Sequence, residues 1–243
     1  MIASLFVKTK KLPQILCVLL ISLSQGANAT SIETNAPSAS EEQLLAAMLP
    51  PSCHFSGKFQ QQKHIQGLDV PLISSGDFFY SCDFGLVWNT QAPFQDALLY
   101  VNTNASYRVD AQGDIEPLTG TARYIMSNVF IPLLQGDTAY FAEAFDVTHD
   151  EAMDATRLTP VSEFMRKGLQ QVLINRPSVK TQAHTLDATI TDVAGQDTII
   201  KISATKQYNL GSKKAAYKQC QQLYPAPLEW CRVLYSRDYY KRM

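Results

Sequence analysis

Residues Ile73 to Thr90 read ISSGDFFYSCDFGLVWNT. Taken alternately, Phe78, Tyr80, Cys82, Phe84, Leu86 and Trp88 fall on one side, and Asp77, Phe79, Ser81, Asp83, Gly85, Val87 and Asn89 on the other. Alternation with period two marks a half-buried β-strand. The spacing therefore predicts one long strand with an unusually aromatic face. Plain core packing satisfies such a face, and so does an apolar ligand that the protein carries.

The preceding stretch, CHFSGKFQQQKHI from Cys53 to Ile65, carries Phe55 and Phe59 at odd positions, and GLDVP after it has turn chemistry. If the two stretches pair with Cys53 opposite Cys82, Phe55 meets Tyr80, Phe59 meets Gly76, and the turn centres near Gly67 and Leu68. All the apolar residues then share one face, whereas a one-residue slip separates them. Four cysteines follow the leader, Cys53, Cys82, Cys220 and Cys231, and allow three pairings. The hairpin arithmetic selects Cys53–Cys82, which leaves Cys220–Cys231. The spacings lack a CxxC pair, which argues against zinc.

Lys8, Lys10 and Lys11, the apolar run Leu12 to Leu23, and Ala27-Asn28-Ala29 predict a signal peptide over 1–29, cut after Ala29. The run is short for a membrane span. Leu16 before Cys17 does not suit lipid attachment. An exported protein with no integral membrane segment in the mature chain is expected. Residues 30–243 hold eighteen basic and twenty-two acidic side chains, a net charge of −4. That argues against a nucleic-acid partner.

Residues 30–40 read as a flexible leader, and Ser40-Glu41-Glu42-Gln43 as the start of a short helix. Residues 96–110 predict a hairpin turning at Asn102-Thr103-Asn104, with a further turn at 111–114. Asn104-Ala105-Ser106 is a glycosylation sequon, relevant only in a glycosylating host. Residues 121–134 have helical spacing with Ile125, Val129 and Leu133 on one side, and Pro132 limits or kinks them. TAYFAEAFDV is ambiguous between helix and strand. Thr159-Pro160 predicts a helix start, with SEFMRK helical to Gly168. LQQVLI, HTLDATITDV and DTIIKISAT read as strands, with a turn at 194–197. From about Gln207 the chain becomes rich in Lys, Tyr and Gln and reads as a partly helical extension.

Catalytic patterns are lacking: the sequence holds no GxSxG and no HExxH. His149-Asp150-Glu151 with Asp146 and Asp154 is the nearest to a metal or acid–base cluster, and it reads more simply as a solvated acidic loop. No cofactor and no enzymatic activity are expected.

Several segments together resemble the LolA family of periplasmic lipoprotein carriers, in its divergent LolA-like group. They are FSGKFQQQKHIQGLDVPLISSGDFFY, GLVWNTQAP, NVFIPLLQGDTAYFAEAF, RLTPVSEFMRKGLQQVLI and DATITDVAGQDTIIKIS, within residues 41–205. Phe59-Gln60, Ser75-Gly76, Trp88, Pro93 and Leu158-Thr159-Pro160 stand where the family has its marks. The resemblance implies a mainly β, α+β fold: an incompletely closed antiparallel β-barrel with short helices forming a lid. It implies an apolar cavity lined by Phe55, Phe59, Phe78, Tyr80, Phe84, Leu86 and Trp88, and a lid holding Ile125, Val129 and Leu133. It also implies a monomer with a lipid or lipoprotein cargo, an inner-membrane loading complex and an outer-membrane acceptor. The family's Arg-Pro pair, whose Arg latches the lid, falls at Cys82-Asp83, so this lid lacks that latch. A sensor or protein-interaction domain on the same fold is the alternative reading, and an exported hydrolase built around His149 a third.

Overall fold

The computed structural model describes residues 43–46, 53–102, 105–175 and 186–236, all within one compact unit, Ala36–Met243. The leader and the residues expected to form the signal peptide lie outside the described residues. So do Ser40 and Asn104.

The strands are β1 (His54–Lys63), β2 (Leu72–Ser81), β3 (Gly85–Ala92), β4 (Asp96–Asn102), β5 (Ala105–Val109), β6 (Ile115–Pro117), β7 (Phe145–Asp150), β8 (Ala155–Pro160), β9 (Leu169–Asn175), β10 (Leu186–Asp192) and β11 (Asp197–Gln207). They form one antiparallel sheet in the order β6-β5-β4-β3-β2-β1-β11-β10-β9-β8-β7. Two meanders meet at the β1–β11 pair, and the edges β6 and β7 do not pair with each other. Twisted sheets of this width curl, and the result is the expected incompletely closed barrel. The helices are α1 (43–46), α2 (Gly120–Ile125), α3 (Ile131–Gln135), α4 (Thr138–Ala144), α5 (Glu163–Arg166), α6 (Lys213–Leu223) and α7 (Trp230–Tyr235), with a π-helical segment, Met126–Phe130, joining α2 to α3.

The opening stretch is not one strand. It is a hairpin, β2 and β3, turning at 82–84, where Phe84 N–H bonds to Ser81 O. Phe78 pairs with Trp88 and Tyr80 with Leu86. An odd-length turn pairs even positions with even positions. Antiparallel partners share a face, so the period-two pattern runs through the turn unbroken. Phe84 is the exception. It sits in the turn and packs on the opposite face, 6.3 Å from Phe79 and 6.4 Å from Tyr217 between ring centroids.

The β1–β2 register pairs Phe55 with Tyr80 and Phe59 with Gly76, and Lys63 with Leu72 across the turn. Cys53 is bonded to Cys82, and Cys220 to Cys231. The first bridge closes a loop whose ends are 29 residues apart, a constraint worth about 3–4 kcal/mol. The Cys53→Ser/Cys82→Ser double variant is expected to lose that much in urea denaturation without reductant, with the Cys220–Cys231 bridge kept. A loss below about 1 kcal/mol would show that sheet register alone holds this end.

Elsewhere the sequence expectations need two adjustments. Thr159 and Pro160 end strand β8, and the following helix starts instead at Ser162, whose hydroxyl accepts from Met165 N–H. Pro160 is tolerated because this is the end of its strand. TAYFAEAFDV divides into helix α4 and edge strand β7.

The sheet has two cores. On the concave face Phe55, Phe59, Phe78, Tyr80, Leu86 and Trp88 meet Val129, Phe130, Leu133, Leu134 and Leu45. On the convex face Phe79, Phe84, Val87, Leu99 and Val109 meet Cys220, Tyr224, Trp230, Cys231, Val233 and Leu234 of the C-terminal helices. Strands β2 to β4 are thus covered on both sides, which explains adjacent Phe78 and Phe79.

Candidate functional site: a helix-covered concave cleft

The segment from Leu118 to Ala144 joins β6 at one edge of the sheet to β7 at the other. Connecting opposite edges obliges it to cross a face, and its apolar residues take it across the concave one. Its irregularity has a cause. Pro132 has no N–H, so the carbonyl of Asn128 lacks its usual helical donor. The backbone widens into the π segment just before, with Ile131 N–H bonding to Met126 O, a common response to such an interruption. The Tyr140 hydroxyl then donates to Asn128 O at 2.8 Å. Gly136 ends α3 in the left-handed conformation (φ 69°), and Asp137 caps α4 by accepting from Tyr140 N–H. The cover is therefore a folded-back helical pair tied by Tyr140. Burial pushes the Tyr140 hydroxyl up to about 12, so it remains a donor at neutral pH.

Tyr140→Phe is expected to leave the sheet intact and loosen the cover by about 1 kcal/mol. Amide exchange across 128–141 should accelerate about 5-fold. Unchanged exchange would show that this bond does not hold the pair.

The cover meets the wall through aromatic contacts. Trp88 stacks on Phe59 at 3.8 Å and meets Phe130 edge-on at 4.7 Å. At the far end burial pushes the Tyr80 hydroxyl well above the ordinary tyrosine range. The same hydroxyl donates toward Cys82 Sγ at 3.6 Å.

Under the cover a cavity of about 240 Å³ remains. Trp88, Leu98, Ile125, Met126, Ile190 and Ile200 form most of its wall, and Gln61, Lys63, Asp192 and Thr198 its polar side. Of the residues expected to line a cavity, Trp88 does so. Phe55, Phe59, Phe78, Tyr80 and Leu86 are on the concave face but buried beneath the cover. Phe84 belongs to the convex core. Of the lid residues, Ile125 faces the cavity, while Val129 and Leu133 pack fully against the wall. Leu98, Ile190 and Ile200 were not singled out from sequence. Strand alternation could have found Leu98, which pairs with Trp88, and Ile200, which pairs with Gln61.

The acidic group around His149 lies on the exposed β7–β8 hairpin. His149 Nε2 is 3.8 Å from Asp154 Oδ1, and Asp150 is engaged by Arg157, which holds its carboxyl below the usual carboxylate range. Among the described residues no cluster of His, Cys, Asp or Glu could hold a metal ion. Among them, too, no helix is long and apolar enough to cross a membrane.

An open antiparallel half-barrel whose concave face is covered by a short helical crossing is the class of fold that the described residues define. No protein-family model matches the sequence, and no curated protein matches it. Among solved structures the chain is similar to a LolA superfamily protein from Nitrosomonas europaea, at 13% identity and TM-score 0.40, over 72% of this chain and 96% of that one. It is similar to a DUF1329 family protein from Desulfovibrio piger, at 12% identity and TM-score 0.38, over 72% and 95%. It is also similar to a domain named for outer membrane lipoprotein sorting from Vibrio parahaemolyticus, at 10% identity and TM-score 0.39, over 74% and 96%.

Proposed function

We propose that this protein is a periplasmic carrier that shelters the acyl chains of a lipid or lipoprotein in the concave cleft. It would receive them from an inner-membrane loading complex, pass them toward an outer-membrane acceptor, and perform no chemistry. The observation that carries this reading is an apolar cleft retained under a cover that neutral contacts hold. An acyl chain exposed to water forgoes on the order of 10 kcal/mol of burial, so a carrier needs a cleft that covers the chain and can be reopened. At about 240 Å³ the cleft is smaller than the ~300–1,000 Å³ of ordinary ligand pockets. Loading therefore requires the segment 120–144 to move outward, with cargo chains taking the places of Val129, Leu133 and Leu134 against the wall.

The complete burial of Val129 and Leu133 favours a second reading, a protein-interaction domain with a self-filled interior. Native mass spectrometry of residues 30–243 purified from the periplasm, with lipid extraction of the same sample, separates the two. Bound acyl lipid that is lost in Ile125→Asp supports the carrier. A bare mass after incubation with lipids and lipopeptides overturns it in favour of the second reading.

A further inference from the structure

The inward rows of the strands around the cleft change character together. On β1 the row runs Phe55, Gly57, Phe59, Gln61, Lys63, and on β11 it runs Ile202, Ile200, Thr198. The register sets the two rows level: Phe59 pairs with Ile202, Gln61 with Ile200 and Lys63 with Thr198. On β10, Ile190 pairs with Thr198, and Asp192 follows it toward the β10–β11 turn. Apolar side chains therefore fill the inner end of the cleft. Hydrogen-bonding ones gather at the end nearest the β1–β2 and β10–β11 turns. These four, Gln61, Lys63, Asp192 and Thr198, are half-buried and line the cavity.

A cleft that is polar at one end suits a ligand that is polar at one end, a chain with a head group. The charges at that end set the sign of the head. Asp192 is already engaged: its Oδ1 accepts from the backbone N–H groups of Ala194 at 2.9 Å and Gln196 at 3.0 Å, within the β10–β11 turn. Lys63 is not, because among the described residues no carboxylate forms an ion pair with it. Arg108, which shares the concave face with its cross-strand partner Leu98, is held by Asp96 at 3.4 Å. Lysines on the outward rows, Lys58 and Lys201, are exposed to solvent instead. We propose that the cleft, with its cover in place, binds a single-chain amphiphile whose head group is anionic, a carboxylate or a phosphate. The chain lies against Leu98, Ile125, Met126, Ile190 and Ile200, and the head meets the Lys63 ammonium, with Gln61 and Thr198 donating hydrogen bonds beside it. This rests on the cleft being an acyl-chain site, and it narrows the cargo. A cavity of about 240 Å³ has room for one chain without outward movement of residues 120–144, and a neutral head would leave Lys63 without a partner.

The test holds the chain constant and varies the head. Residues 30–243 are titrated with decanoate, decan-1-ol and decyltrimethylammonium at about pH 8, where carboxylate and lysine are both charged. Tryptophan emission reports binding, since Trp88 is in the cavity wall. Decanoate should bind about 10-fold more tightly than decan-1-ol, as one charge-assisted contact would give, and decyltrimethylammonium should bind most weakly. In Lys63→Met the ratio of decanoate to decan-1-ol affinity should collapse to about one. Lys58→Met, on the outward row of the same strand, should keep the parental ratio. Monodecanoyl phosphatidic acid in the same titration separates the two head chemistries: the tighter of it and decanoate names the head, and both should exceed decan-1-ol. Equal affinity for the three heads, with all binding lost in Ile125→Asp, overturns the head-group assignment and leaves the chain site standing. Tightest binding of the cationic probe overturns it in favour of Asp192. Uptake of a triacylated lipopeptide without binding of any decyl probe overturns it while the carrier reading stands, and failure to take up either class defeats both.

Discussion

Trp88→Ala is expected to destabilise the protein by about 3–5 kcal/mol, the usual cost of removing a large aromatic side chain from a core. Trp88 is the point where wall and cover meet. It stacks on Phe59, lies 5.6 Å from Phe78, and receives Phe130 from the π segment. Its removal forfeits these contacts and leaves a void continuous with the existing cavity, which its ring helps to line. Because the cover is anchored there, the loss should appear locally as well as globally. Urea unfolding followed by far-ultraviolet circular dichroism measures the first. Uptake of a hydrophobic dye by the folded variant measures the second, and it should rise. A loss below about 1.5 kcal/mol would mean that the cover rests on the wall without close packing.

Gly85→Ala is expected to be comparably severe, for a different reason. Gly85 opens β3 at φ +121°, a conformation that L side chains rarely adopt. A Cβ there would lie 2.2 Å from the carbonyl oxygen of Tyr100 and 3.3 Å from Leu234 Cδ2. Backbone strain of about 1–3 kcal/mol adds to a similar cost for overpacking. The neighbour that must yield is main chain of β4, so little relaxation is available. The damage should spread to the convex core through Phe84 and Leu234, loosening the extension. Limited proteolysis that releases the C-terminal helices faster than in the parent would show this. A variant with parental stability would mean that the turn reorganises without disturbing β4.

Gly85 also marks where the sequence reading of the fold failed. The turn Cys82-Asp83-Phe84 carries no Asn-Gly or Pro signal, and its odd length keeps even residues on one face through the reversal. Periodicity therefore cannot distinguish this hairpin from a single strand. Phe84, placed by parity in the cavity, is turned to the other face by the loop. The β1–β2 register was legible, because only one alignment puts Phe55, Phe59, Phe78 and Tyr80 together and Cys53 beside Cys82. The helical spacing of Ile125, Val129 and Leu133 was legible too. The division of labour among them was not, because it depends on how far the π segment turns each side chain.

What the sequence determined by itself was local and periodic. It set the alternation that makes strands, the register of the first hairpin, the cysteine pairing that follows from that register, and the stop signals around the helical crossing. Tertiary structure alone decided which of the two faces each aromatic residue serves. It decided that the edge-to-edge crossing fills most of the concave cleft, and that a basic extension seals the convex one. Those outcomes depend on contacts between residues far apart in the chain, such as Tyr224 with Asp77 or Tyr217 with Phe84. Burial there depends on the whole sheet, and no local pattern carries that information.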